Sequence, residues 1–165
     1  MELIQSISLS SSASTILFSS IPNTYSQLYL YASLRNDSTT SSSPALRVAL
    51  SSTANYDLGY RETGSSSVNE GNYSSKVNWQ DMYGGVISEQ KPSNSFGAFY
   101  MSIHNYAQSV PTTMVAQGTS NASESNPNAG VYGGIIRNTD VQSSINMIVD
   151  YGNFKAGCLV ALYGA

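Results

Sequence analysis

The chain has 165 residues, near the usual size of one domain, and a chain of that length buries roughly 70% of the surface its unfolded form exposes. Charged residues make up only 10% of it, against ~25% in ordinary soluble domains, and the net charge is −3 with its seven basic residues scattered singly. Such a chain offers no phosphate-binding stripe and no basic patch for an anionic bilayer, so the expectation is no nucleic acid and no membrane among its partners.

Period two dominates the chain. Weak alternation predicts strands over residues 3–9 and 15–18. Over 27–34, Leu28, Leu30, Ala32 and Leu34 fall on one face while Tyr29, Tyr31 and Ser33 fall on the other, the pattern of a half-buried strand. Leu46, Val48 and Leu50 repeat it with Arg47 and Ala49 turned outward. Weaker stretches follow at 56–60 and 76–83, then a clear one in Phe99, Met101 and Ile103. Residues 112–117 and 131–137 are weak again, Ile145, Met147 and Val149 are clear, and Cys158, Val160 and Leu162 close the series.

No window of a dozen residues carries an apolar stripe at helical spacing, which predicts little or no helix. Clusters of Gly, Pro, Asn and Ser punctuate the strands at Ser10-Ser11-Ser12, 36–44, 64–71, Gly84-Gly85, Lys91-Pro92-Ser93-Asn94 and 117–130. They leave room for about eight to ten short strands. The fold expected is all-β over residues 1–165 as a single domain, an antiparallel β-sandwich of jelly-roll-like form. Gly84-Gly85 and Gly133-Gly134 lack the Lys-Ser or Lys-Thr of a phosphate loop and read as bulges or bends.

Groups able to carry chemistry are few. His104 is the sole histidine, no Gly-x-Ser-x-Gly elbow accompanies it, and a structural role is expected for it. Cys158 is the sole cysteine and lies in the apolar run Cys158-Leu159-Val160-Ala161-Leu162, which predicts a buried, inert thiol. Asp37, Asp57, Glu62, Glu70 and Asp81 are too widely spaced for a calcium loop, and one His with one Cys cannot make a zinc site. The expectation is therefore no catalytic residue, no metal and no cofactor, hence no enzyme. The opening residues lack a basic n-region and no stretch reaches the ~18 apolar residues of a membrane span, so a soluble chain without an export signal is expected. The Asn-x-Ser triplets at Asn36, Asn72 and Asn121 then carry no weight as glycosylation sites.

Twelve tyrosines against one tryptophan is the other unusual feature. A tyrosine can bury its ring while its hydroxyl stays bonded or wet. Tyr29 and Tyr31, on the outward side of their strand, are the residues expected to touch a partner.

Three segments together resemble the virion structural proteins of tailed bacteriophages. Ile21-Pro22-Asn23-Thr24-Tyr25-Ser26-Gln27-Leu28, running into Ala32-Ser33-Leu34-Arg35-Asn36-Asp37, is similar to that group's Ile-Pro-x-x-Tyr turn before a long strand. Ile103-His104-Asn105-Tyr106 resembles its mid-chain strand ending in Asn-Tyr. Asn153-Phe154-Lys155-Ala156-Gly157-Cys158, followed by Leu162-Tyr163-Gly164-Ala165, resembles its C-terminal signature. The chain departs from the pattern at Cys158, where serine is commoner, and at Ala165, where a larger apolar residue usually stands.

The resemblance implies a virion protein made in the host cytoplasm. Its first form is a capsid decoration or cement protein on the outer head surface, with the major capsid protein as partner and self-association, a trimer being favoured. Its alternative form is a tail or host-recognition module that presents tyrosines to cell-surface glycan, with Tyr29, Tyr31, Tyr56, Tyr60, Tyr73 and Trp79 as the residues available to stack on sugars.

Overall fold

Each period-two stretch overlaps a strand in the computed structural model, which describes residues 1–39, 44–50, 55–63, 68–77, 80–83, 85–87, 94–121, 127–137 and 139–165. The strands are β1 (Glu2–Ser8), β2 (Thr15–Phe18), β3 (Gln27–Arg35), β4 (Ala45–Leu50), β5 (Asn55–Thr63), β6 (Val68–Val77) and β7 (Gln80–Tyr83). They continue as β8 (Val86–Ile87), β9 (Gly97–His104), β10 (Thr112–Asn121), β11 (Pro127–Ile136), β12 (Ile145–Val149) and β13 (Leu159–Gly164). No helix occurs among the described residues.

Two sheets pack face to face as an antiparallel β-sandwich. The larger has nine strands in the order β1-β13-β3-β9-β10-β11-β5-β6, with β8 added at the end of β3; the smaller has four, β2-β12-β4-β7. The chain passes back and forth between them, and every ladder is antiparallel except the short pairing of Leu34 with Val86 and Arg35 with Ile87.

Alternation decides which side chains meet. The large sheet turns Leu28, Leu30, Phe99, Met101, Ile103, Val160 and Leu162 inward, and the small sheet answers with Ile16, Phe18, Leu46, Val48, Leu50, Ile145 and Met147. Each of these is 3% exposed or less, and burying one such side chain contributes about 1.5–3 kcal/mol before the entropy of ordering it is counted. Ala49 alternates with the inward Val48 and Leu50 as expected, yet it is only 9% exposed.

The three resemblance segments meet at the two ends of β3. At its start, the Tyr106 hydroxyl donates to the Pro22 carbonyl and accepts from the Tyr25 N–H at 3.3 Å. The Tyr25 ring lies over Gly164, where an added Cβ would come within 2.3 Å of it, and Ser26 and Gln27 donate their N–H groups to the Ala165 carbonyl. At the other end, Asp37 accepts the Asn153 N–H at 2.7 Å and its side-chain amide at 3.2 Å, while the Asn36 amide donates to the Tyr151 carbonyl at 2.8 Å. Gly157 takes φ +91° in the turn into β13, a conformation that favours glycine, and the Cys158 thiol then bonds both backbone groups of Arg35 at 3.2 Å. These motifs are structural staples around one central strand.

Three local readings are corrected. Gly133 and Gly134 sit in an unbroken register with both neighbours, so they make no bulge; the register shifts fall instead between Leu3 and Gln5 and between Tyr56 and Leu58. Residues 117–121 and 127–130, read as loop, extend β10 and β11 into a long hairpin, and 68–71 belong to β6. Thirteen strands form among the described residues instead of about eight to ten, because β8 is too short and most of β6 too polar to announce themselves by period, and the stretch 76–83 contains the end of β6 and the whole of β7. Gly84 lies outside the described residues, and Gly85 makes the expected bend at φ +89°.

Candidate docking face

The ladders line up side chains from strands far apart in sequence. Ala161 pairs with Tyr31, Tyr31 with Tyr100, Tyr100 with Gln117, Gln117 with Val131 and Val131 with Arg61, so one row crosses six strands on the outward face of the large sheet. A second row puts Tyr163 beside Tyr29 and Val115 beside Gly133. A third carries Leu159, Ser33, Ala98, Thr119, Ala129 and Thr63.

An open trough of about 840 Å³ lies on this face. Val131 is 57% exposed, Val115 and Leu159 are each 49% exposed and Tyr31 is 42% exposed, a contiguous apolar surface of the kind that marks a contact site. Arg61, at the β5 rim, is the only charged residue among the described residues that line the trough.

Four tyrosines gather at the other end. The Tyr31 ring lies 5.1 Å from that of Tyr100 and 5.8 Å from that of Tyr163, the latter edge-on, and Tyr29 stacks 6.5 Å from Tyr100. Such pairs hold one another's rotamers, so the rings present a preorganised surface. Partial desolvation within the cluster pushes the Tyr31 hydroxyl above its ordinary value of 10.0, and the neighbouring phenols Tyr100, Tyr29 and Tyr163 add to the shift. The Tyr31 hydroxyl is thus a neutral donor at physiological pH. Tyr29 spends its own on Gln27.

Of the residues expected to touch a partner, Tyr31 stands exposed in the trough and Tyr29 is half-buried beside it. The wider set offered for glycan stacking does not assemble. Tyr56 is fully buried, with its hydroxyl bonded to both backbone groups of Leu50, so it cannot meet a sugar. Tyr60 and Tyr73 stack at 5.3 Å, but on the face of the sheet that carries the core, and Trp79 lies outside the described residues.

Tyr100, Tyr163, Val115, Val131, Leu159 and Arg61 were not singled out from the sequence. The signal for the first two was present, since both alternate with inward-facing residues, but register was needed to bring them beside Tyr31.

His104 and Cys158 lie toward opposite ends of β3, His104 across from Gln27 and Cys158 against Arg35. Burial pushes the Cys158 thiol above its ordinary value, against the pull of its bonds to Arg35 and Lys155, which keeps it a thiol rather than a thiolate at neutral pH. Among the described residues no three His, Cys, Asp or Glu side chains gather into a metal-binding group, and no helix is long and apolar enough to cross a membrane.

No family model, curated protein or solved structure matches the chain.

Proposed function

We propose that the chain is a structural protein of a tailed-bacteriophage particle, a decoration or cement protein that bridges neighbouring major capsid subunits on the outer head surface. The observation that carries the reading is the concave face of the large sheet, which exposes Val115, Val131, Leu159 and Tyr31 with Arg61 as its one lining charge. Covering such a face releases about 25 cal/mol per Å² of apolar surface while stranding almost no ion, the balance that suits a permanent protein contact. The three phage-like segments supply the setting, and their part is to hold the sandwich that displays this face.

Repetition makes weak contacts sufficient. When a protein is displayed on a lattice and associates with its own copies, a trimer over a lattice axis being the favoured form, avidity multiplies modest affinities. The reading assigns no reaction to the chain.

The tyrosine cluster favours a second reading, a tail module in which Tyr31 and Tyr100 stack on cell-surface glycan. Counting copies separates the two. Quantitative mass spectrometry of purified particles is expected to find the chain in numbers matching the capsid lattice. A handful of copies per particle would support the tail reading, and absence from particles would overturn both.

A further inference from the structure

Resting on that reading, we propose that the trough takes an extended apolar segment of the partner protein bearing one carboxylate, which Arg61 receives at the β5 rim. The trough spans β13 to β5, six strands at ~4.8 Å spacing, so it is about 24 Å long. At ~3.4 Å per residue an extended segment of about seven residues fills that length. The two rows of side chains that line it, those of Tyr31 and of Leu159, span about 7 Å along the strands. Spread over that floor, the 840 Å³ is roughly 5 Å deep, room for the side chains of an extended chain but narrower than a helix ~10 Å across.

Shape and lining choose among occupants. Two copies of a concave face meet only at their rims, so the same face of a second copy does not fill the trough. A glycan needs hydrogen-bonding groups distributed along its length, whereas the exposed lining is mostly apolar, from Ala98, Ala129, Ala161, Val131 and Leu159, with Ser33, Thr63, Gln117 and Thr119 as a smaller polar share. An apolar peptide matches that floor.

Charge fixes its direction. Arg61 has no ion pair or side-chain hydrogen bond among the described residues, and Glu70, directly across the ladder from it, makes no ion pair with it either. A carboxylate placed at that end would meet a guanidinium that has no partner among the described residues, while the opposite end offers tyrosine rings to apolar side chains.

The test uses the full chain and an array of seven-residue peptides of Val, Leu and Tyr carrying one Asp at each position in turn, every peptide paired with its Asn counterpart. Fluorescence polarisation is expected to show that Asp near one terminus binds about fivefold tighter than Asn, as an ion pair at an exposed rim yields. The preference should vanish at 1 M salt and in Arg61→Gln, Val131→Gln should weaken Asp and Asn peptides alike, and these variants and Val131→Lys should all keep the parent melting temperature. Equal binding of Asp and Asn peptides, a preference that persists in Arg61→Gln, or binding of oligogalacturonate but of no peptide would overturn the inference.

Attachment to particles stripped of the protein separates the two levels. If Val131→Lys abolishes attachment while no peptide shows an Arg61-dependent preference, the docking reading stands and the carboxylate inference fails. If peptides bind as expected but Val131→Lys still attaches fully, the docking reading fails.

Discussion

The Tyr106 hydroxyl satisfies two backbone groups, the Pro22 carbonyl and the Tyr25 N–H, in a stretch that has no ladder of its own. Tyr106→Phe keeps the ring and strands both groups, so urea unfolding should show a loss of about 1–3 kcal/mol with the slope unchanged. Gly130 makes a different demand. A Cβ there would sit 2.2 Å from the Tyr132 hydroxyl, which donates to Glu62 at 2.8 Å, so Gly130→Ala must push that ring off its partner. A loss of about 1–3 kcal/mol is expected, and it should shrink in Gly130→Ala combined with Tyr132→Phe, where that bond is already gone.

Burial raises the pKa of Tyr56, Tyr106 and Cys158 in the fold, so each favours its protonated form there. Their contribution is fully present below the ordinary values, 9.0 for the thiol and 10.0 for the phenols, and is lost as pH climbs through the raised folded values. Denaturation midpoints should therefore fall with rising alkalinity, starting near pH 9. Cys158→Ala should flatten the first part of that slope while lowering stability at every pH, because the Arg35 N–H and carbonyl lose their partner.

At the scale of the element, β13 is the strand whose loss the fold can least absorb. It lies between β1 and β3, its Val160 and Leu162 are fully buried, and the turn before it closes onto Arg35. Deleting residues 159–165 should leave β1 without a partner and open the core, abolishing soluble folding; a truncated chain with native circular dichroism and melting would refute this. The clearest strands were legible because their alternation is the cause of their burial, as in β3, β9, β12 and β13. The outer half of the β10–β11 hairpin was not. Gly118, Ser120, Asn128 and Gly130 read as turn residues, yet pairing in register with neighbours on both sides holds Gly118 and Gly130 in the sheet, and Tyr132 covers Gly130 in place of a side chain. Tertiary pairing there overrides local preference.

For the whole molecule, low charge and abundant tyrosine were visible from the start, but where they converge was not. Tyr31 was singled out for its outward position, whereas its companions Tyr100, Val131 and Arg61 come from β9, β11 and β5 and join it only through ladder register. Composition forecasts a surface poor in ions; topology decides that the apolar part is gathered on one concave face. The segments 21–37, 103–106 and 153–165 meet at the ends of β3 and stabilise the sandwich, so the candidate docking face is a separate feature, and each can be tested without the other. The most direct test is a reconstruction of the virion at a resolution that separates strands. The account predicts that the outward face of β3, β9 and β10 is buried against capsid protein while the small sheet looks away from the shell. A reconstruction with that face open to solvent, and the contact made by the small sheet or by the edge strands β1 and β6, would contradict it.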